Sequence, residues 1–242
     1  MAQATAQDIR TALRDLANAE MAEHAQRFFK TGEGQYGCGD RFLGIRVPVL
    51  RALVKQHRTM PLAQLGQLLR SEYHEERLFA LLGMVEQFSG SDELNRTAIY
   101  TLYLKNTRTI NNWDLVDCSA LYIVGAYLED KDKQPLYTLA VSKSLWERRI
   151  AMIAPFHLIR KNRFEEALAI AEILRDDKED LIHKAVGWML REIGKRNLAA
   201  EKRFLNKHAD KMPRTMLRYA IEKLPEDQRQ AYLKKTTDSR RR

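Results

Sequence analysis

The sequence predicts an all-α protein built from repeated helix pairs, and three observations carry that expectation. From residue 42 onward, apolar residues recur at the spacings of three and four that line one face of a helix. No stretch alternates apolar and polar residues for long enough to make a strand. Alternate helices also resemble one another: ERLFALLGMVE around Ala80, WDLVDCSALYI around Val116, ERRIAMIAPFH around Ala151, LIHKAVGWMLR around Ala185 and TMLRYAIEKLP around Ala220 lie 36, 35, 34 and 35 residues apart. A period of that length, filled by two helices, indicates a stacked helical solenoid of the HEAT or armadillo kind; an irregular bundle would not space its helices so evenly. One helical-repeat domain is expected over residues 1–236, with a basic, disordered tail over 237–242.

Residues 4–17 read as a helix, with Thr5 and Asp8 in capping-box positions and Ile9, Ala12, Leu13 and Leu16 forming an apolar stripe. A second helix runs to about residue 30. The segment TGEGQYGCGDR, residues 31–41, holds four of the 11 glycines and reads as a loop. Its glycines lack the spacing and flanking strand of a phosphate-binding motif. Pro48 suits the first turn of the next helix. Further helices are expected at about 60–70, 74–88, 92–106, 111–128, 135–142, 144–161, 163–175, 179–196, 198–210, 214–224 and 226–235, with a kink at Pro155.

The chain has 242 residues, 45% of them hydrophobic, which is enough for a sizeable core. No apolar run approaches the roughly 20 residues of a bilayer crossing, and no basic segment followed by an apolar one opens the chain. Cys38 and Cys118 are the only cysteines, and no C-x-x-C or H-x-x-H spacing suggests a metal site, so a reduced, cytoplasmic protein without a structural metal is expected. The net charge of +9 is unevenly spread: residues 1–140 carry 16 Lys and Arg against 17 Asp and Glu, residues 141–242 carry 25 against 15. A C-terminal region at +10 points to a polyanionic partner, most simply nucleic acid; a basic surface with no partner is the alternative.

The stretch NNWDLVDCSA, residues 111–120, sets two carboxylates and a tryptophan at the start of an apolar helix. Trp113 and Asp117, four apart, share a helix face, with Asp114 on the flank. One position after the repeat anchor the other units carry Leu81, Met152, Val186 and Ile221, so this unit has placed a carboxylate where its siblings keep an apolar residue. Asp117 is then either a carboxylate kept for chemistry or one that caps a helix or pairs with an arginine. Lys184, Trp188 and Arg191 also share a helix face, a basic and aromatic stripe suited to a sugar-phosphate track. Trp146 and the cysteines read as structural, and His183 as structural or phosphate-binding.

NNWDLVD at 111–117, LWERRIAMI at 145–153, HKAVGWMLREIGK at 183–195 and RFLGIRVPVLR at 41–51 resemble the bacterial AlkD-type DNA alkylation repair proteins, over about residues 20–225. The resemblance implies a HEAT-like solenoid with double-stranded DNA in a concave basic groove. It also implies a monofunctional glycosylase that releases cationic N3- and N7-alkylated purines without metal or cofactor, and a monomer is expected. By position, the family's catalytic aspartate falls on Asp117, its two cleft tryptophans on Trp113 and Trp188, and its DNA-contacting arginine on Arg149, with Arg148 adjacent as the alternative. The family's tyrosine in the second helix is replaced by Phe28, and the loop at 31–41 is longer than in the type member. The chemistry agrees with these residues. An N-alkylated purine is a good leaving group, so a carboxylate that stabilises the oxocarbenium-like sugar, helped by tryptophan faces, suffices. The competing class is a helical-repeat module that binds branched or damaged DNA without cutting it.

Overall fold

The computed structural model describes residues 3–239. Helices account for its regular structure, and the only pairing of β type among the described residues is a single bridge between Arg41 and Tyr73. The all-α class expected from the sequence is therefore what the chain adopts. Its residues gather into two compact units, Met1–Ile123 and Val124–Arg242.

The first unit holds α1 (Ala6–Asp15), α2 (Ala19–Phe28), α3 (Val47–Gln56), α4 (Leu62–Leu68), α5 (His74–Gly90), α6 (Glu93–Lys105) and α7 (Trp113–Asp117). Thr5 caps α1 in a reciprocal box with Asp8, as its spacing predicts, and Pro48 opens α3. The hub is α5, which packs on α1, α3, α4, α6 and α7 and buries both Phe79 and the four charged residues of its first turn. Gly44, on the way into α3, has a φ of +80°, and a Cβ there would lie 2.1 Å from the Asn18 carbonyl oxygen, so only glycine fits.

The second unit holds α8 (Gln134–Ala140), α9 (Leu145–Ile153), α10 (Phe156–Ile159), α11 (Glu165–Ile173), α12 (Asp180–Gly194), α13 (Leu198–His208), α14 (Arg214–Ala220) and α15 (Glu226–Ser239). Its hub is α12, packed on α9, α13 and α14. Pro155 breaks the expected 144–161 helix into α9 and α10. The last helix continues to Ser239, three residues into the segment expected as a disordered tail, and the rest of that segment, 240–242, lies outside the described residues.

The positions aligned as repeat anchors lie in the core. Ala80, Val116, Ala151, Ala185 and Ala220 are all at most 1% exposed, as are Leu81, Met152, Val186 and Ile221 in the next column.

One expected helix does not form as read. In place of a continuous 111–128 helix, α7 ends at Asp117, and after a turn the chain winds as a π-helix over Leu121–Gly125. Ser119 explains the break. Its Oγ donates to the Leu115 carbonyl at 2.5 Å and meets the Tyr103 hydroxyl at 3.1 Å, while its amide turns to Val116 at 3.1 Å. A side chain that occupies the carbonyl four residues back competes with the helical ladder.

Candidate active site

Being only five residues long, α7 cannot hold its own orientation through backbone bonds, so its neighbours set it. Asn112 caps it by accepting from the Trp113 amide at 2.8 Å. Trp113, half-buried, stacks on Phe29 with ring centres 5.4 Å apart and meets the edge of Phe28 at 6.0 Å. Phe29 in turn stacks on Phe42 at 5.1 Å. Asp117, also half-buried, closes the helix one turn after Trp113, so the two share a face as their spacing requires.

Asp114 has a different part from the one its position on the flank suggested. Its Oδ2 accepts from His74 Nε2 at 2.8 Å, while His74 Nδ1 donates to Asp40 Oδ2 at 2.9 Å and Arg77 donates to Asp40 Oδ1 at 2.5 Å. His74, Asp40 and Arg77 are all buried. Burial alone would lower the His74 pKa, but the two carboxylates outweigh it and raise it to about 9, so the ring is an imidazolium at neutral pH. Burial likewise works against the charge on Asp40, yet His74 and Arg77 hold its carboxyl below the usual range. Next to His74, Glu75 accepts from the amides of Leu43, Gly44 and Ile45, which ties the loop before α3 to the same helix end.

The remaining candidates lie in the second unit. Arg149, on α9, is 5% exposed and donates to the Leu181 carbonyl at 2.5 Å. Arg148 grips Asp177 with Nε at 2.6 Å and Nη2 at 3.3 Å, and its Nη1 reaches the carbonyls of Ser142 and Lys143. On α12, Lys184 pairs with Asp180 at 2.8 Å and Arg191 pairs with Glu222. Trp188 donates Nε1 to Glu192 at 3.3 Å and meets Phe156 edge-on at 5.7 Å. His183 bonds the Asp177 carbonyl at 2.6 Å, a structural contact. The structure thus brings Trp113 and Asp117 together on α7 and Lys184, Trp188 and Arg191 together on α12, and it gives Arg148 and Arg149 intramolecular partners.

Charge divides along the same line. Residues 1–123 carry 14 Lys and Arg against 14 Asp and Glu, and residues 124–242 carry 27 against 18, so the unit with Asp117 is neutral and the other holds the whole +9.

Sequence reasoning passed over His74, Asp40, Arg77, Phe29 and Phe42. A signal for the first existed: HEER, four charged or titratable residues, opens the apolar run LFALLGMV at the first repeat anchor, where burial forces each to find a partner. Asp40 and the aromatic pair carry no such mark, because only the path of the loop brings them to α5.

Among the described residues no helix is long and apolar enough to cross a membrane, and no group of three or more His, Cys, Asp or Glu side chains could hold a metal ion. No curated protein matches the chain. Among solved structures, a protein from Enterococcus faecalis described as a predicted DNA alkylation repair enzyme shares the fold, with a TM-score of 0.67, 20% identity, and 87% of this chain and 97% of that one covered. The crystal structure of smu.31 from Streptococcus mutans UA159 matches at a TM-score of 0.48 and 17% identity, covering 97% and 98%. The DNA alkylation repair enzyme family matches residues 9–224, nearly the whole chain. The protein therefore belongs to the DNA alkylation repair enzyme family, with a role in the repair of alkylated DNA.

Proposed function

We propose that the protein is a monofunctional DNA glycosylase that excises cationic N3- and N7-alkylated purines from duplex DNA. The observation that carries this reading is Asp117. In a column where Leu81, Met152, Val186 and Ile221 are fully buried, this unit has a half-exposed carboxylate one turn from a half-exposed tryptophan.

The chemistry follows from the substrate. Positive charge on the purine weakens the glycosidic bond, and as the bond breaks the sugar takes on oxocarbenium character. A preorganised carboxylate lowers the energy of that cation, and removing one such group typically slows a reaction on the order of 10²- to 10³-fold. Trp113 offers an electron-rich face to the same charge. Asp117 also stands ready to orient the attacking water. Arg149, buried and bonded to the Leu181 carbonyl, ties α9 to α12, whereas Arg148, Lys184, Arg191 and Trp188 are assigned to the DNA backbone. There, phosphate and sugar contacts fix position without reading sequence. Acting through the sugar, the protein needs no pocket for a rotated base.

The test uses purified protein in excess EDTA with matched duplexes carrying N7-methylguanine, a bulky N7 adduct or uracil, and free base is detected. Release of both N7 bases and not of uracil is expected, because a cationic purine leaves without protonation whereas a neutral base needs a proton donor. Efficient uracil release, or activity abolished by EDTA, overturns the mechanism. Binding to duplex with no base released from any substrate leaves the non-catalytic module as the reading.

A further inference from the structure

His74 lies outside the motifs that carry the resemblance and outside the residues assigned to DNA, yet it is a tightly held titratable group of the first unit. It opens α5, is 2% exposed, and both of its ring nitrogens face carboxylate oxygens, Asp40 at 2.9 Å and Asp114 at 2.8 Å. Only a doubly protonated ring donates to both; a neutral one would turn a lone pair towards a carboxylate. The ring also stacks on Phe42 at 4.6 Å and leans on Phe29 at 5.1 Å, and Phe29 is the ring on which Trp113 stacks.

Two routes thus run from one imidazolium to α7, a charged hydrogen bond to Asp114 and an aromatic stack to Trp113. A five-residue helix takes its direction from such contacts with its neighbours more than from its own backbone bonds. We infer that His74 is a positioning residue for the reaction, holding α7 so that Asp117 and Trp113 meet the sugar in a productive geometry. This rests on the glycosylase reading above, since positioning matters only if Asp117 acts in a transition state. Misplacement of a reacting group by about 1 Å costs on the order of 10²-fold in rate, so a small tilt of α7 is enough.

The charged surroundings decide what protonation does. Asp40 faces His74 from the loop at 31–41 and is itself held by Arg77 of α5, and Asp114 faces it from α7. Glu75 of α5 is saturated by three loop amides, and Glu76 pairs with Arg10 and Arg14 of α1. His24 of α2 and Arg46, the cap of α3, line a cavity of about 210 Å³ that His74 and Asp114 also line. Loss of one ring proton removes the positive charge that holds both carboxylates and sets a lone pair against one of them, so the bond that ties Asp114 of α7 to α5 loses its charge assistance.

Two measurements on the full chain test this. In the first, the His74 ring resonance and the Asp117 backbone amide are followed by NMR from pH 6 to 10. The expected result is one shared midpoint near 9, the value to which the two carboxylates raise the ring. An Asp117 amide indifferent to the ring's titration overturns the inference, and this readout does not depend on activity. In the second, single-turnover excision of N7-methylguanine and duplex affinity are compared for the protein and His74→Gln. The rate should fall at least about 10-fold with affinity unchanged, and the alkaline fall in rate seen with His74 should be absent from the variant. Unchanged rates, or rate and affinity lost together in a variant that stays folded, overturn it. Should His74→Gln not fold, Asp114→Ala removes the same bond at a partly exposed site, and the same outcomes decide. If the unaltered protein releases no base, the glycosylase reading fails, and the paired titration still judges the role of His74.

Discussion

At Asp117 the protein departs from its own repeat, and there a single atom exchange is most informative. Asp117→Asn keeps size and shape but removes the charge that would meet the sugar cation. Excision should slow at least about 10-fold, while affinity for duplex stays the same or rises because a repulsion from phosphate is also removed. Single-turnover rates on a methylated duplex, measured beside a binding titration, check both halves. An unchanged rate removes Asp117 from the mechanism. Neighbouring Asp114 shows that two carboxylates three residues apart have separate tasks: one ends the helix half-exposed, the other is spent on His74.

Among the elements, the interruption after α7 matters most, and it hangs on Ser119. Its hydroxyl is shared between the Leu115 carbonyl and the Tyr103 hydroxyl, in a place where Tyr103 and Ser119 are both fully buried. Ser119→Ala leaves Tyr103 without its partner and should cost about 1 to 3 kcal/mol, read as a lower midpoint in urea with the slope unchanged. It should also lengthen α7, visible as new helical amide shifts around Cys118. Most helices could be read from the sequence because burial imposes the 3.6-residue period, and the anchors at Ala80, Ala151, Ala185 and Ala220 fell in the core as aligned. The break at 118–119 was hidden because it depends on a hydroxyl finding a tyrosine 16 residues earlier, a contact that leaves the apolar pattern unchanged. The site was legible in the same unequal way. Asp117 stands out as an exception among its sibling positions and Trp113 by its spacing of four from it, whereas Asp40 lies in a loop whose sequence says nothing of where it lands.

For the molecule as a whole, two buried groups make alkaline conditions destabilising. His74 is raised from 6.5 to about 9, so its contribution is fully present below pH 6.5 and is lost as pH climbs through 9. Over that window the folded state holds a proton that the unfolded chain has released, worth about 3 kcal/mol. Glu201, 2% exposed, has one carboxylate oxygen without a partner, and burial pushes it up to about 7. Its folded form also retains a proton longer than its unfolded form, so stability falls between pH 4.5 and 7 as well. On the acid side the signs reverse: Asp40 and Glu192 are held below their ordinary values and lose their contribution as they protonate. Stability should therefore peak near pH ~5 and decline towards pH 9, a profile that thermal melts at constant ionic strength would trace. A plateau from pH 5 to 9 would mean that His74 is not held between charged carboxylates.

Cys118 directly follows Asp117. Burial first, then the charges of Asp114 and Asp117, push its thiol far above the ordinary range, so its proton stays on. The thiolate is the form that attacks electrophiles. A protein of alkylation repair works in a cell under electrophilic attack, and a reactive sulfur beside its carboxylate would make it a victim of the agents whose lesions it repairs. Burial, with the same two aspartates, thus disfavours the thiolate at the adjacent sulfur. Iodoacetamide at pH 8 should label the exposed Cys38 and spare Cys118 until denaturant opens the fold, as mass spectrometry of the two peptides would record. Equal labelling of both in the native protein would show that this protection is absent.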